Sequence, residues 1–144
     1  MALGLNNCKS GDYLYDAELN IQKRLAENPG DTEALGQNTA LKYYRKDYAG
    51  VIKYSTVLLE ETESSLIWKV RGMAFQRLER YDDALNCYLR AIDLDPLDTQ
   101  ASGNAQDLRA YMLKQEERRV RMVSYANKHV GRDNGGDTSL RVRR

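Results

Sequence analysis

Apolar residues recur along most of the chain at steps of three and four, and the segments between such runs are short and polar. Ile67, Trp68, Val70, Phe75 and Leu78 fall mostly on one broad stripe of a helix. Ala84, Leu85, Tyr88, Ala91 and Ile92 form a second stripe. Between the two, Arg80-Tyr81-Asp82 leaves room only for a short turn, and Gly72 and Ala84 are small where two antiparallel helices would approach. Pro96 pushes Asp95 out of helical conformation and ends the second helix near Leu94. The pattern predicts a helical hairpin over residues 65–95.

The same turn recurs upstream. Gly11-Asp12-Tyr13, Lys46-Asp47-Tyr48 and Glu79-Arg80-Tyr81 place a tyrosine at intervals of 35 and 33 residues, and Asn28-Pro29 precedes Asp95-Pro96 by 67. A middle hairpin is predicted over 32–61, with Leu35, Thr39, Tyr43 and Tyr44 in its first helix and Val51, Ile52, Tyr54, Ser55, Leu58 and Leu59 in its second. A first copy over 1–28 has Leu3-Gly4 before its turn and lacks about one turn of its opening helix. Beyond Pro96, Ala101, Ala105, Leu108 and Met112 lie at steps of four, three and four, which predicts a long helix over 99–129. Its second half, from Lys114 to Met122, is highly charged and expected to project into solvent. Residues 130–144 carry almost no material for a core and read as a disordered basic tail.

Residues 65–97 resemble the tetratricopeptide repeat family. Its pattern of Trp-x2-Leu-Gly-x2-Tyr, then Ala-x3-Phe, then Pro is met by Trp68, Gly72, Phe75, Ala84, Tyr88 and Pro96, with Arg71 in place of the leucine. The middle hairpin departs further: Leu35 stands where Trp68 does, and its end, Glu60 to Ser64, has no proline. The resemblance implies an all-α fold, an α–α superhelix of about two and a half hairpins with a long C-terminal capping helix. Such hairpins cannot bury their apolar faces singly, so they stack and their ends are capped.

Family geometry puts the first helix of each hairpin along a concave groove. That implies Gln37, Ala40, Tyr43 and Tyr44 there, beside Leu66, Lys69, Val70, Met73, Gln76 and Arg77. Leu66, Val70, Met73 and Arg77 make an apolar stripe with a basic end, suited to a short amphipathic helix or extended peptide with an acidic or polar end. Some members of the family hold the terminal carboxylate of heat-shock chaperones in a clamp of lysines, arginine and asparagines. The matching positions here are Met1, Leu5, Gln37, Leu66 and Val70, which cannot neutralise a buried carboxylate, so that clamp is absent from the reading. Of Tyr43 and Tyr44, one at most can face the groove fully. Tyr48, Tyr54, Tyr81 and Tyr88 are expected between helices with hydroxyls at the rim.

Composition narrows the function. With 144 residues and 42% hydrophobic content, one domain is expected. No apolar run is long enough to span a bilayer, and the first residues lack a basic start and apolar stretch, so an intracellular, cytoplasmic setting is the expectation. Cys8 and Cys87 stand far apart and read as ordinary thiols. A single histidine, His129, excludes a two-histidine metal site, and no phosphate loop, nucleophile elbow or zinc-protease motif occurs. Asp133 to Asp137 suggests a calcium loop, but its twelfth place is Arg144, which excludes an EF-hand. Neither catalysis, a metal nor a cofactor is expected.

Residues 1–110 hold 13 Lys/Arg against 17 Asp/Glu, while residues 111–144 hold nine against four. The basic end raises a nucleic-acid-associated protein as the alternative, although its cations are sparse and interrupted by Glu116, Glu117, Asp133 and Asp137. The principal reading is a non-catalytic protein-interaction module or assembly scaffold that presents its groove to a peptide or helix of another protein. Self-association through the first repeat is a further expectation.

Overall fold

The computed structural model describes residues 10–133. Among them lie six helices and no strand: α1 (Ser10–Glu27), α2 (Thr32–Tyr44), α3 (Tyr48–Glu61), α4 (Ser65–Arg77), α5 (Tyr81–Leu94) and α6 (Thr99–Asp133). Leu3, Gly4, Cys8 and the clamp positions Met1 and Leu5 lie outside the described residues, as do residues 134–144. The described residues fall into two compact units, divided within α6 after Ala105.

In the first unit α1 packs on α2, α2 on α3, α3 on α4 and α4 on α5, and α2 also touches α4. The turns after α2 and α4 are built alike. Asp47 N–H donates to the Lys42 carbonyl at 2.9 Å and Lys46 N–H to Tyr43 at 3.0 Å; Arg80 N–H donates to Phe75 at 2.9 Å and Glu79 N–H to Gln76 at 3.1 Å. This double closure of a helix end needs a left-handed residue, and Lys46 (φ 60°) and Glu79 (φ 59°) adopt it although neither is glycine. The following helix starts at once, so the chain reverses and its helices lie antiparallel. Asp31 caps α2 by accepting from Ala34 N–H at 3.0 Å, Asp47 caps α3 through Gly50 N–H at 2.9 Å, and Asp98 caps α6 through Gln100 and Ala101 N–H at 2.9 and 3.0 Å.

The core holds Leu35, Leu41, Val51, Leu58, Phe75, Ala84, Tyr88 and Ala91, with Ala101 and Ala105 from the start of α6. Gly72 is where α4 and α5 come closest: a Cβ there would stand 2.8 Å from the Tyr88 ring and 3.2 Å from the Ala84 carbonyl. The small residues expected at the crossing are therefore required by it. Tyr88 is fully buried and its hydroxyl donates to Gln76 Oε1 at 2.8 Å. Arg24 ties α1 to the start of α2 through Asp31 at 2.9 Å and Glu33 at 2.9 Å, and Glu18 receives Lys42 and Arg45.

In the second unit α6 continues as a helix whose residues from Arg109 to Val130 are exposed, apart from half-buried Met112. Two boundaries differ from the sequence reading. Gly11 and Asp12 are not a turn but belong to the first turn of α1, where glycine costs little because the first N–H groups have no helical partner anyway. Residues 130–133 are helical, not part of a disordered tail, since one glycine, Gly131, at about 1 kcal/mol does not stop a helix already propagating.

Candidate functional site

α2 and α4, the first helices of the middle and last hairpins, run beside each other and carry all the residues singled out for partner binding. On α4, Leu66 is 57% exposed, while Val70 and Met73 are half-buried beside it at steps of four and three. Arg77 continues the stripe at its C-terminal end, exposed and with no carboxylate partner among the described residues. On α2, Gln37 and Ala40 are exposed, and the Gln37 side-chain amide donates to Glu33 Oε1 at 3.2 Å.

The two adjacent tyrosines take different roles. Tyr43 is half-buried with its ring edge-on to Tyr48, centroids 5.7 Å apart, whereas Tyr44 is 70% exposed. Helical geometry forces this divergence, because neighbours along a helix point about 100° apart. Tyr44 is thus the open aromatic of the pair. Tyr43 instead lies near the Tyr88 hydroxyl, which burial pushes up to about 12; Tyr43 acts in the same direction, while Asn104 and Arg77 oppose it. Residues of α2, α4 and the start of α6 therefore converge on one buried phenol.

Lys69 is not available as a free cation. Its Nζ lies 2.7 Å from Asp98 Oδ2 and both side chains are largely buried, so the lysine joins α4 to the cap of α6. Asp98 is held below the usual carboxylate range by Lys69 first and by the Ala101 N–H next. Sequence spacing placed Lys69 beside Leu66 and Met73 on α4, but its partner lies 29 residues away and no local pattern announces it. Gln76 is likewise engaged, accepting from Tyr88.

Residues 65–97 match the family model described as tetratricopeptide repeat. That segment, α4 and α5 with the turn between them, is a tetratricopeptide repeat. The fold of the chain is that of solved tetratricopeptide domains. The first such domain of Spaghetti (RPAP3), bound to the HSP90 peptide SRMEEVD, superposes with a TM-score of 0.66 at 14% identity, over 72% of this chain and 82% of that one. The Arabidopsis OM64 domain gives 0.63 at 19% identity, over 69% and 84%. The first domain of human RPAP3 gives 0.65 at 15%, over 72% and 83%. At these identities the likeness is one of fold. No curated protein sequence matches the chain.

Other features of the chain have local explanations. His129 Nδ1 lies 2.9 Å from the Tyr125 carbonyl and its ring stacks on Tyr125 at 3.9 Å. Cys87 is a buried thiol that desolvation pushes up to about 11, which leaves it protonated and unreactive. Among the described residues no group of acidic, histidine or cysteine side chains could hold a metal, and no helix is long and apolar enough to cross a membrane.

Proposed function

We propose that the chain is a non-catalytic interaction module that holds a short amphipathic segment of a partner protein along α2 and α4, the partner's acidic end toward Arg77. The observation that carries this is the stripe of exposed Leu66 with half-buried Val70 and Met73 on α4, ending in a cation that no carboxylate among the described residues offsets. Tyr44 and Gln37 supply the facing wall, and Lys69 positions α4 through Asp98 instead of touching the partner. The peptide-bound relative supports a segment of extended or helical chain as the kind of ligand. Leu66, Val70 and Gln37, at positions where a carboxylate clamp would need cations, favour an apolar anchor over a terminal carboxylate. Exposed Tyr13, Tyr15 and Leu19 on α1 support self-association through the first repeat as a separate contact.

The test is a crosslinking pull-down with the intact chain and with Val70→Glu and Met73→Glu combined, checked for retained helicity. Partners recovered by the intact chain and lost from the double variant establish the stripe as the working surface. Partners that survive it, but disappear when residues 114–144 are deleted and when salt is raised, would instead assign binding to the basic end, where Lys114, Arg118, Arg121 and Lys128 share one exposed face of α6.

A further inference from the structure

Arg71 stands where the repeat pattern carries a leucine, and the groove makes no use of it. On α4 it lies with Trp68 and Phe75 at steps of three and four, about half a turn round the helix from Leu66, Val70 and Met73. Its guanidinium carbon is 5.7 Å from the centre of the Trp68 ring and 5.6 Å from that of Phe75. A planar cation against two aromatic rings is held electrostatically and loses little freedom when it binds. These three side chains line a cleft of about 360 Å³, whose other wall includes Asp83, Cys87 and Arg90 of α5.

One charge in the cleft is unmatched. Arg80 pairs with Asp83 at 2.7 Å and Arg90 with Glu63 at 2.6 Å, whereas no carboxylate among the described residues pairs with Arg71. The adjacent Cys87 thiol, neutral because of its burial, is no counter-ion. Arg71 Nε and Trp68 Nε1 are both buried with no acceptor, and both groups can only donate. Two unanswered donors, one of them part of a fixed cation, belong to side chains that line a cleft with aromatic walls, and an oxyanion entering it would answer them.

We propose that this cleft is a second binding site, on the opposite side of α4 from the apolar stripe, and that it takes the carboxylate of an aspartate or glutamate side chain of a partner protein. The guanidinium edge matches a carboxylate, and the half-buried Trp68 ring accommodates the methylenes that carry it, while Phe75 is covered by Arg71 and Arg80. A single unmatched cation, with Asp83 on the opposite wall of the cleft, selects a singly charged group over a phosphate dianion.

Trp68 is the single tryptophan of the chain, so its indole N–H gives one unambiguous nitrogen–proton resonance. The full chain, labelled with nitrogen-15, is titrated with N-acetyl glutamate methylamide, the glutamine analogue and inorganic phosphate. We expect a saturable displacement of the indole signal by the glutamate compound, none by the glutamine compound, and weaker binding of phosphate. Arg71→Leu, which restores the residue of the repeat pattern, is expected to weaken the response at least tenfold, and Arg71→Lys to weaken it less. The Val70→Glu and Met73→Glu double variant is expected to retain it, so this site and the groove succeed or fail separately. An unmoved indole signal, an equal response to the glutamine compound, tighter binding of phosphate, or a response that survives both Arg71 variants each overturns the assignment.

Discussion

The middle and last hairpins are two solutions to one packing problem. Their turns share the same double closure, with Lys46 and Glu79 in matching left-handed conformations 33 residues apart, although only α3 has a side-chain cap, from Asp47. Their interiors are not. Where the last hairpin puts Gly72 against the fully buried Tyr88 ring, the middle one carries Thr39 and Ser55 at the corresponding places, both buried. Those hydroxyls are satisfied within their own helices, Thr39 Oγ1 donating to the Leu35 carbonyl at 2.8 Å and Ser55 Oγ to Ile52 at 3.0 Å. One hairpin fills the crossing with a ring that needs a glycine opposite; the other uses two small side chains of similar size. The difference teaches that the fold is specified by the turn and by side chains of complementary volume at the crossing, while recognisability depends on which pair supplies them.

The largest way to sharpen this comparison is to remove the two equivalent residues in turn. Tyr88→Ala is expected to cost about 3–5 kcal/mol of stability in urea denaturation, and Ser55→Ala less than about 1 kcal/mol. Similar losses at both would show that the ring is not the keystone of the last hairpin. Gly72→Thr alone is expected to cost about 1–3 kcal/mol through overpacking, and much of that loss should return when Tyr88→Ser is added, because the pair then copies the middle hairpin. Strict additivity would refute the shared-volume account.

A smaller effect tests the position that both hairpins fill with a polar residue. Asn38 corresponds to Arg71; it is fully buried and neither atom of its amide has a partner. Asn38→Leu is expected to stabilise by about 1–2 kcal/mol, read as a higher urea midpoint at unchanged slope. A loss instead would show that the amide is satisfied in solution. The smallest effect concerns what the hairpins share: Lys46→Gly and Glu79→Gly should each stabilise by about 0.5–1 kcal/mol, equally, by relieving a left-handed side-chain residue. Unequal gains would mean that the two turns are not energetically alike.

Much of this was legible in the residues. Tyr48 and Tyr81, 33 residues apart, open α3 and α5 as their spacing predicted, and the breakers Pro29 and Pro96 lie just beyond the ends of α1 and α5, whereas Tyr13 lies inside α1. Helix periodicity placed Leu66, Val70 and Met73 on one face. Other features were not legible, since they depend on residues brought together from distant places. The Lys69–Asp98 pair removes a cation from the candidate site, and the choice between Tyr43 and Tyr44 was settled by Tyr48 and Tyr88. The Arg71 exchange was visible as a departure, but its lack of a counter-ion was not.

Local rules act over three or four residues, so the sequence by itself determined the helices, the short turns that make neighbouring helices antiparallel, and the small residues where they cross. Which charges are paired, which of two adjacent rings is open and which buried donors lack an acceptor were decided only by the tertiary structure. Each of those depends on a distance between side chains on different helices, and a one-dimensional pattern carries no such distance.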